Sequence, residues 1–443
     1  MIAQKKLMYI LYLQIIIISF IFLKSSATLN VFIDEYLALT SGVNFFRNLD
    51  FNAGLKGGGS YSVLLTSGPL SSVGSVIGWN LTNNLIIARF SNYLWALIIH
   101  LFFINIISKY YEINKNIISI FMVFSLIIVP WYFGVLYSIG EIVSTILFFY
   151  AVLLFTPRRN LSLILFSLSI FYGKLILIIL FIVFYLIYIF LNKEFKKCLK
   201  DFSFFIIPAI VWIILVGIKY QDGSIVDYLT NFFYFNFTTN QSAGLKEFST
   251  YGLSDYLFSY QNSEVVNWNI ADVLRIFVSP IIFAIYGLTH FKKFSHYIKL
   301  IYFPLLTSTM TLYLWFWILS PTKWIRYSQH FILLQILFMF FLLSENRFKI
   351  TSFYQLIIFS TYFSLFFNSL SLIIIFLVLI ITCYLLRPEK LSTYFSFLLI
   401  VFLFINSGNS YYELNNKTQF NFEFVECKNS LKSEECYREY INQ

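Results

Sequence analysis

Phe32-Ile33-Asp34-Glu35-Tyr36 follows an apolar block, Leu7 to Leu23, and these two carboxylates at the end of a hydrophobic helix set the reading of the whole chain. Lys5 and Lys6 precede the block. Basic residues collect on the cytoplasmic side of membrane helices, so the first helix runs outward and the acidic pair opens an extracytoplasmic loop. The 443 residues are 59% apolar and 12% charged, with 54 Phe and a mean hydropathy of +0.76. That is too little polar surface to cover a soluble globule. Apolar blocks recur at lengths that suit a bilayer, so the expected fold is all-α, a polytopic transmembrane bundle of about 13 helices. Ser25-Ser26-Ala27 is a weak cleavage site, and the first block reads as a retained helix rather than a signal peptide.

The formal net charge is +10, but the bases sit in short clusters between apolar blocks. A nucleic-acid surface would gather them in one patch, so they read as topology signals and no nucleic-acid partner is expected. Residues 24–80 form a first outer loop, and spans follow at 83–108, 117–137 and 139–155. The block 161–191 would measure about 46 Å as one helix, too long for a single straight span. A break at Gly173-Lys174 divides it into two. A span at 202–219 leads to a second outer loop, 220–272, where Asp222, Asp227, Glu247, Asp255, Glu264 and Asp272 face a single base, Lys246. Further spans cover 273–288, 300–319 and 331–343, two more lie within 350–386, and the last ends near Ile405. Residues 1–405 thus form one transmembrane domain, with an extracytoplasmic tail from 406 to 443. Cys427 and Cys436 in that tail form a disulfide if its compartment is oxidising, and stay free thiols otherwise. Cys198 and Cys383 fall in a cytoplasmic loop and a span, where no bridge is expected.

Asp34 has two readings. It caps and charges the start of an interfacial helix over Tyr36 to Phe46, or it is a general base that takes a proton from an acceptor hydroxyl or amine. With Glu35 it also offers hard oxygen ligands to a divalent metal ion. The run Gly57-Gly58-Gly59 lacks the strand and the Lys-Ser/Thr of a phosphate loop and reads as a flexible turn. Ser67-Gly68-Pro69-Leu70 is a second turn, leading into another interfacial segment from Leu70 to Trp79. Lys323 and Arg326 are outer-face cations beside Trp324. They either bind a donor phosphate or anchor to headgroups at the aromatic belt. Arg89 lies inside the second span, where it either snorkels outward or points into the bundle; charge there is expensive, which favours a functional role. Glu141 and Lys174 fall near the outer end of the bundle and can pair or face the site. His330 adjoins Arg326 as a further donor-site candidate, and His100, placed deeper, suits a helix-to-helix hydrogen bond.

The order of these elements resembles the GT-C glycosyltransferases. The shared features are an N-terminal helix, an Asp-Glu pair opening a long first outer loop, a Pro-containing turn before a second short helix, and Arg89 within Ile87-Ala88-Arg89-Phe90. Tyr137-Ser138-Ile139-Gly140-Glu141 and the Gly173-Lys174 break are similar too. The resemblance covers roughly the first 190 residues and is nearest the branch containing protein O-mannosyltransferase-like and aminoarabinose transferase-like enzymes. It implies an inverting hexosyl- or pentosyltransferase in a bacterial inner membrane, N-terminus cytoplasmic and C-terminus outside, working at the outer face. The donor would be a polyprenyl-phosphate-linked sugar and the acceptor a lipid, glycan or protein, with Asp34 as base, Glu35 as its neighbour or a metal ligand, and Lys323, Arg326 and Arg89 on the departing phosphate. The alternative is a non-enzymatic flippase of a lipid-linked glycan, which would line a central cavity with its charges. A polysaccharide polymerase or ligase would carry an outer loop rich in Arg and His, and the 220–272 loop is acidic and His-free.

Overall fold

Apolar chain in a bilayer satisfies its backbone only as helix or closed barrel, and each expected span has a helical counterpart. The structure is a computed structural model that describes residues 2–28, 33–49, 53–55, 59–61, 68–128, 132–136, 141–217, 225–227, 229–230, 270–319, 328–345, 353–367, 369–386 and 391–416. Its first third comprises α1 (Ile2–Thr28), α2 (Ile33–Asn48), the antiparallel pair β1 (Ala53–Leu55) and β2 (Gly59–Tyr61), α3 (Val73–Thr82) and α4 (Leu85–Ile107). Then come α5 (Lys115–Ser125), α6 (Tyr132–Leu136), α7 (Glu141–Leu154), α8 (Arg159–Phe171), α9 (Leu177–Asn192) and α10 (Cys198–Gly217). The last part holds α11 (Ile270–His290), α12 (His296–Leu314), α13 (Gln329–Ser344), α14 (Phe353–Ser364), α15 (Leu370–Leu386) and α16 (Leu391–Asn416). Among the described residues Leu7–Ala27, Leu85–Ile107, Phe195–Val216 and His296–Ile318 are each long and apolar enough to cross a membrane, and shorter apolar helices accompany them.

Helices that are apolar on every side belong in the interior. Every residue of α13 is buried, as is α7 from Ile142 to Leu154. The outer helices turn large apolar side chains outward: Phe20 is 65% exposed, Phe190 69% and Leu385 73%. Such a surface suits hydrocarbon and not water, and the chain is an integral membrane protein. Between helices, neutral polar groups supply the directional contacts that burial alone cannot give in lipid. Gln14 Nε2 donates to Ile120 O at 2.8 Å, Gln335 Nε2 to Thr309 Oγ1 at 3.2 Å, and His100 Nδ1 pairs with Tyr150 OH at 2.9 Å. His100 thus makes the helix-to-helix bond expected of it.

Three boundaries differ from expectation. The span expected over 117–137 is interrupted: α5 ends at Ser125 and α6 restarts at Tyr132. Pro130, which lies outside the described residues, is the sequence feature that goes with the break, since proline has no N–H to donate and is disfavoured within a helix. The last helix runs past 405 to Asn416, and α1 continues beyond residue 24 to Thr28. The two short helices of the first loop do form, as α2 and α3. Cys198 and Cys383 are free, while Cys427 and Cys436 lie outside the described residues.

The expected break at Gly173-Lys174 falls between α8 and α9, and it is also where the first loop docks. Gly68 N donates to Gly173 O at 2.8 Å and Leu70 N to Tyr172 O at 2.7 Å. Trp95 Nε1 of α4 donates to Leu70 O at 3.0 Å, and Trp212 of α10 packs on both Tyr172 (4.8 Å between centroids) and Phe45 of α2 (5.7 Å). Backbone approaches so closely that a β-carbon on Gly68 would meet Tyr172 backbone at 2.5 Å. Gly68→Ala is therefore expected to cost about 1–3 kcal/mol, the range for overpacking. Gly408→Ala, inside α16 where nothing lies within 4 Å, should instead stabilise by about 0.5–1 kcal/mol, and thermal unfolding of both variants in detergent checks the opposite signs.

Candidate functional site

Arg89 and Glu35 form a buried ion pair at the loop end of the bundle. Arg89 Nε donates to Glu35 Oε1 at 2.6 Å and Nη2 to Glu35 Oε2 at 2.8 Å, while Nη1 donates to Ser26 O at 2.9 Å. Both side chains are 2% exposed. The planar guanidinium fork matches a carboxylate edge, so both charges are desolvated with their hydrogen bonds made. One arginine of α4 thereby ties the last turn of α1 to the first turn of α2. Asn84 starts α4 correctly for this, accepting from Ile86 N at 2.8 Å and Ile87 N at 3.2 Å.

This geometry changes two expectations. Arg89, expected at the donor phosphate, is committed to Glu35 and to the Ser26 carbonyl. Glu35, expected as a neighbour or metal ligand, has both oxygens engaged by a guanidinium whose charge opposes a second cation, so it does not fit a metal. Among the described residues no group of three His, Cys, Asp or Glu side chains is placed to hold a metal ion. Asp34 falls in the first turn of α2, where the helix dipole favours a carboxylate; its side chain lies outside those described.

The same end of the bundle gathers several other expected residues. Lys174 is half-buried in the α8–α9 break, its N–H donating to Ser169 O at 2.9 Å. The break sits against α7: a β-carbon on Gly173 would lie 2.3 Å from Ser144 Oγ. One residue on, Thr145 Oγ1 pairs with His330 Nδ1 at 3.0 Å, fixing the start of α13 on α7. Glu141 is the first residue of α7 and so belongs to this end, though its side chain is not among those described. Lys323 and Arg326 lie outside the described residues. Three polar residues absent from the sequence reading join the set. Asn92 of α4 donates from Nδ2 to Val135 O at 2.6 Å, Gln329 begins α13, and Arg275 of α11, 4% exposed, donates from Nε to Leu365 O at 2.6 Å. Arg275 carried a signal in the sequence, as an arginine just inside an apolar span.

The opposite end is built differently. Arg159 Nε donates to Asp201 Oδ1 at 2.9 Å, Arg159 also pairs with Glu194, Tyr185 OH donates to Asp201 Oδ2 at 2.9 Å, and Lys197 Nζ donates to Glu194 Oε1 at 2.7 Å. Burial pushes the Glu194 carboxyl up, but the hydrogen bonds from Lys197 and Arg159 outweigh it and hold the group below its ordinary range. The network joins α8, α9 and α10.

The described residues form a helical membrane bundle in which Glu35, in the first turn after the opening helix, is held by a buried arginine of the next span, with two short helices between. Among solved structures the chain is similar to ArnT from Cupriavidus metallidurans bound to undecaprenyl phosphate, with TM-score 0.57 and 11% identity over 92% of this chain and 77% of that one. It is similar also to ArnT from the same organism in the apo state, with TM-score 0.53 and 13% identity over 92% and 76%. ArnT is an aminoarabinose transferase of the GT-C kind, the branch that the residue pattern resembles. At these identities the likeness is one of fold. No family model and no curated protein matches the sequence.

Proposed function

We propose that the chain transfers a sugar from a polyprenyl-phosphate-linked donor to an acceptor at the extracytoplasmic face of a bacterial inner membrane. The observation that carries this reading is the Arg89–Glu35 pair, which fixes the first turn of α2, and Asp34 within it, at the end of a GT-C-like bundle where Lys174 and His330 also lie. Orientation follows from charge. Lys109, Lys115, Arg158, Lys193, Lys196 and Lys200 are all at the opposite end, which makes that end cytoplasmic and the Asp34 end external.

In this reading the Asp34 carboxylate takes the proton of an acceptor hydroxyl or amine as the acceptor atom attacks the anomeric carbon. The bond from that carbon to the phosphate oxygen breaks on the opposite face, inverting the centre, and the lipid phosphate leaves with the electron pair. Lys323 and Arg326 balance its charge, and Arg89 positions rather than binds. A flippase would carry charge along a central path. Among the described residues every Asp, Glu, Lys and Arg lies near a helix end or in a connection, which favours the transferase.

Binding of a polyprenyl-phosphate sugar to the purified protein tests the donor assignment. Charge-assisted hydrogen bonds contribute about 1.5–3 kcal/mol, so Lys323→Ala and Arg326→Ala should each weaken binding by roughly ten- to a hundredfold. Unchanged affinity in both would make them headgroup anchors instead.

A further inference from the structure

The corner between α9 and α10 separates its charges into two groups. Its acids, Glu194 and Asp201, are held on Arg159, and Lys197 joins them through Glu194. Lys193, Lys196 and Lys200 stay outside that network: all three are exposed, and none makes an ion pair with a described residue. Large apolar side chains stand among them. Phe195, Leu199 and Phe202, spaced by four and three residues on the helical run Phe195–Val216, share one side of it and are exposed, Leu199 at 84%. Phe190 and Leu191 at the end of α9 are exposed too, so the lysines stand where a lipid-facing surface ends and long ammonium side chains reach the headgroups. Lys193 also closes α9 in the left-handed conformation, at φ 54°, which glycine adopts freely and a side chain resists.

Positive charge alone would set topology. Topology does not call for acids drawn off by an arginine, or for apolar side chains between the remaining lysines. We propose that this corner binds an anionic phospholipid of the leaflet opposite the Asp34 end, with Lys193, Lys196 and Lys200 on the headgroup phosphate and Phe195 and Leu199 against the acyl chains. Charge complementarity selects the occupant: three unbalanced cations beside exposed hydrocarbon suit a ligand that is anionic and apolar at once. Soluble phosphate supplies only the charge. The site lies away from Asp34 and does not depend on the transferase reading.

The test is displacement of a fluorescent phosphatidylglycerol from the full-length protein in detergent by unlabelled phosphatidylglycerol, phosphatidylcholine or inorganic phosphate. The wild type is expected to prefer phosphatidylglycerol to phosphatidylcholine at least tenfold. A lysine near an anionic surface is worth about fivefold in affinity, so Lys193→Gln, Lys196→Gln and Lys200→Gln together should weaken phosphatidylglycerol binding by roughly ten- to a hundredfold and abolish the preference. Lys109→Gln, Lys115→Gln and Lys292→Gln together remove the same charge from other exposed lysines and should leave the preference intact. Lys193→Gly alone should weaken lipid binding about fivefold while the unfolding temperature holds or rises, because glycine relieves the left-handed position. Equal loss in both triple variants would reduce the corner to part of a general surface potential. Inorganic phosphate competing as well as the lipid would remove the phospholipid as occupant. Either result, or a wild type without the preference, would overturn the proposal.

Discussion

Asp34→Asn is expected to lower sugar transfer by about 10²–10⁴-fold, the contribution typical of a positioned general base, and to leave the fold intact. Asparagine is nearly isosteric with aspartate and keeps a polar group in the first turn of α2, but it takes no proton at neutral pH. The structural work here falls to the next residue, since Glu35 takes the bidentate hydrogen bonds of the Arg89 guanidinium. Loss of transfer with an unchanged unfolding temperature therefore separates catalysis from folding. Ordinary turnover in the variant would reduce Asp34 to an acid that complements a helix dipole.

Arg89→Met carries the largest expected cost in stability. Removing one partner of a buried ion pair leaves the other charge desolvated, at about 3–5 kcal/mol, and Glu35 at 2% exposure has little access to water. Glu35→Met should cost a similar amount for the converse reason. The double variant should recover much of the loss, because a well-packed apolar pair replaces a buried ionic one at little net cost. Unfolding midpoints of the two single variants and the double give the coupling energy. Strict additivity would show that the two side chains do not depend on one another. The singles should also lose transfer even where they remain folded, because a shift of about 1 Å in a catalytic group can cost a hundredfold in rate.

The helical bundle was readable in the sequence because bilayer thickness fixes block length. The break at Gly173-Lys174 was readable for the same reason, since 161–191 exceeds one span. The interruption of 117–137 carried its signal in Pro130, which a count of apolar residues passes over. What local pattern does not encode is partnership. Glu35 and Arg89 are 54 positions apart, and each taken alone suggested chemistry; only their meeting assigns Arg89 to the loop. The docking of Gly68 on Gly173 has the same character. Both glycines were visible as turn residues, yet the reason each must lack a side chain lies in what packs on it: a β-carbon on Gly68 would meet the Tyr172 backbone, and one on Gly173 would meet Ser144 of α7. Asn92 and Gln329 gave no signal, because single amides in apolar helices are common and their neighbours come from α6, an element the sequence merged into a longer helix.

The measurement that bears most directly on the account is transfer of sugar by the purified protein in liposomes supplied with a panel of polyprenyl-phosphate-linked hexoses and pentoses, with Asp34→Asn in parallel. Turnover of at least one donor by the wild type, lost in Asp34→Asn, is the predicted result. Protein-dependent movement of a lipid-linked glycan across the bilayer, with no sugar released from any donor and no effect of Asp34→Asn, would contradict it and make the chain a flippase.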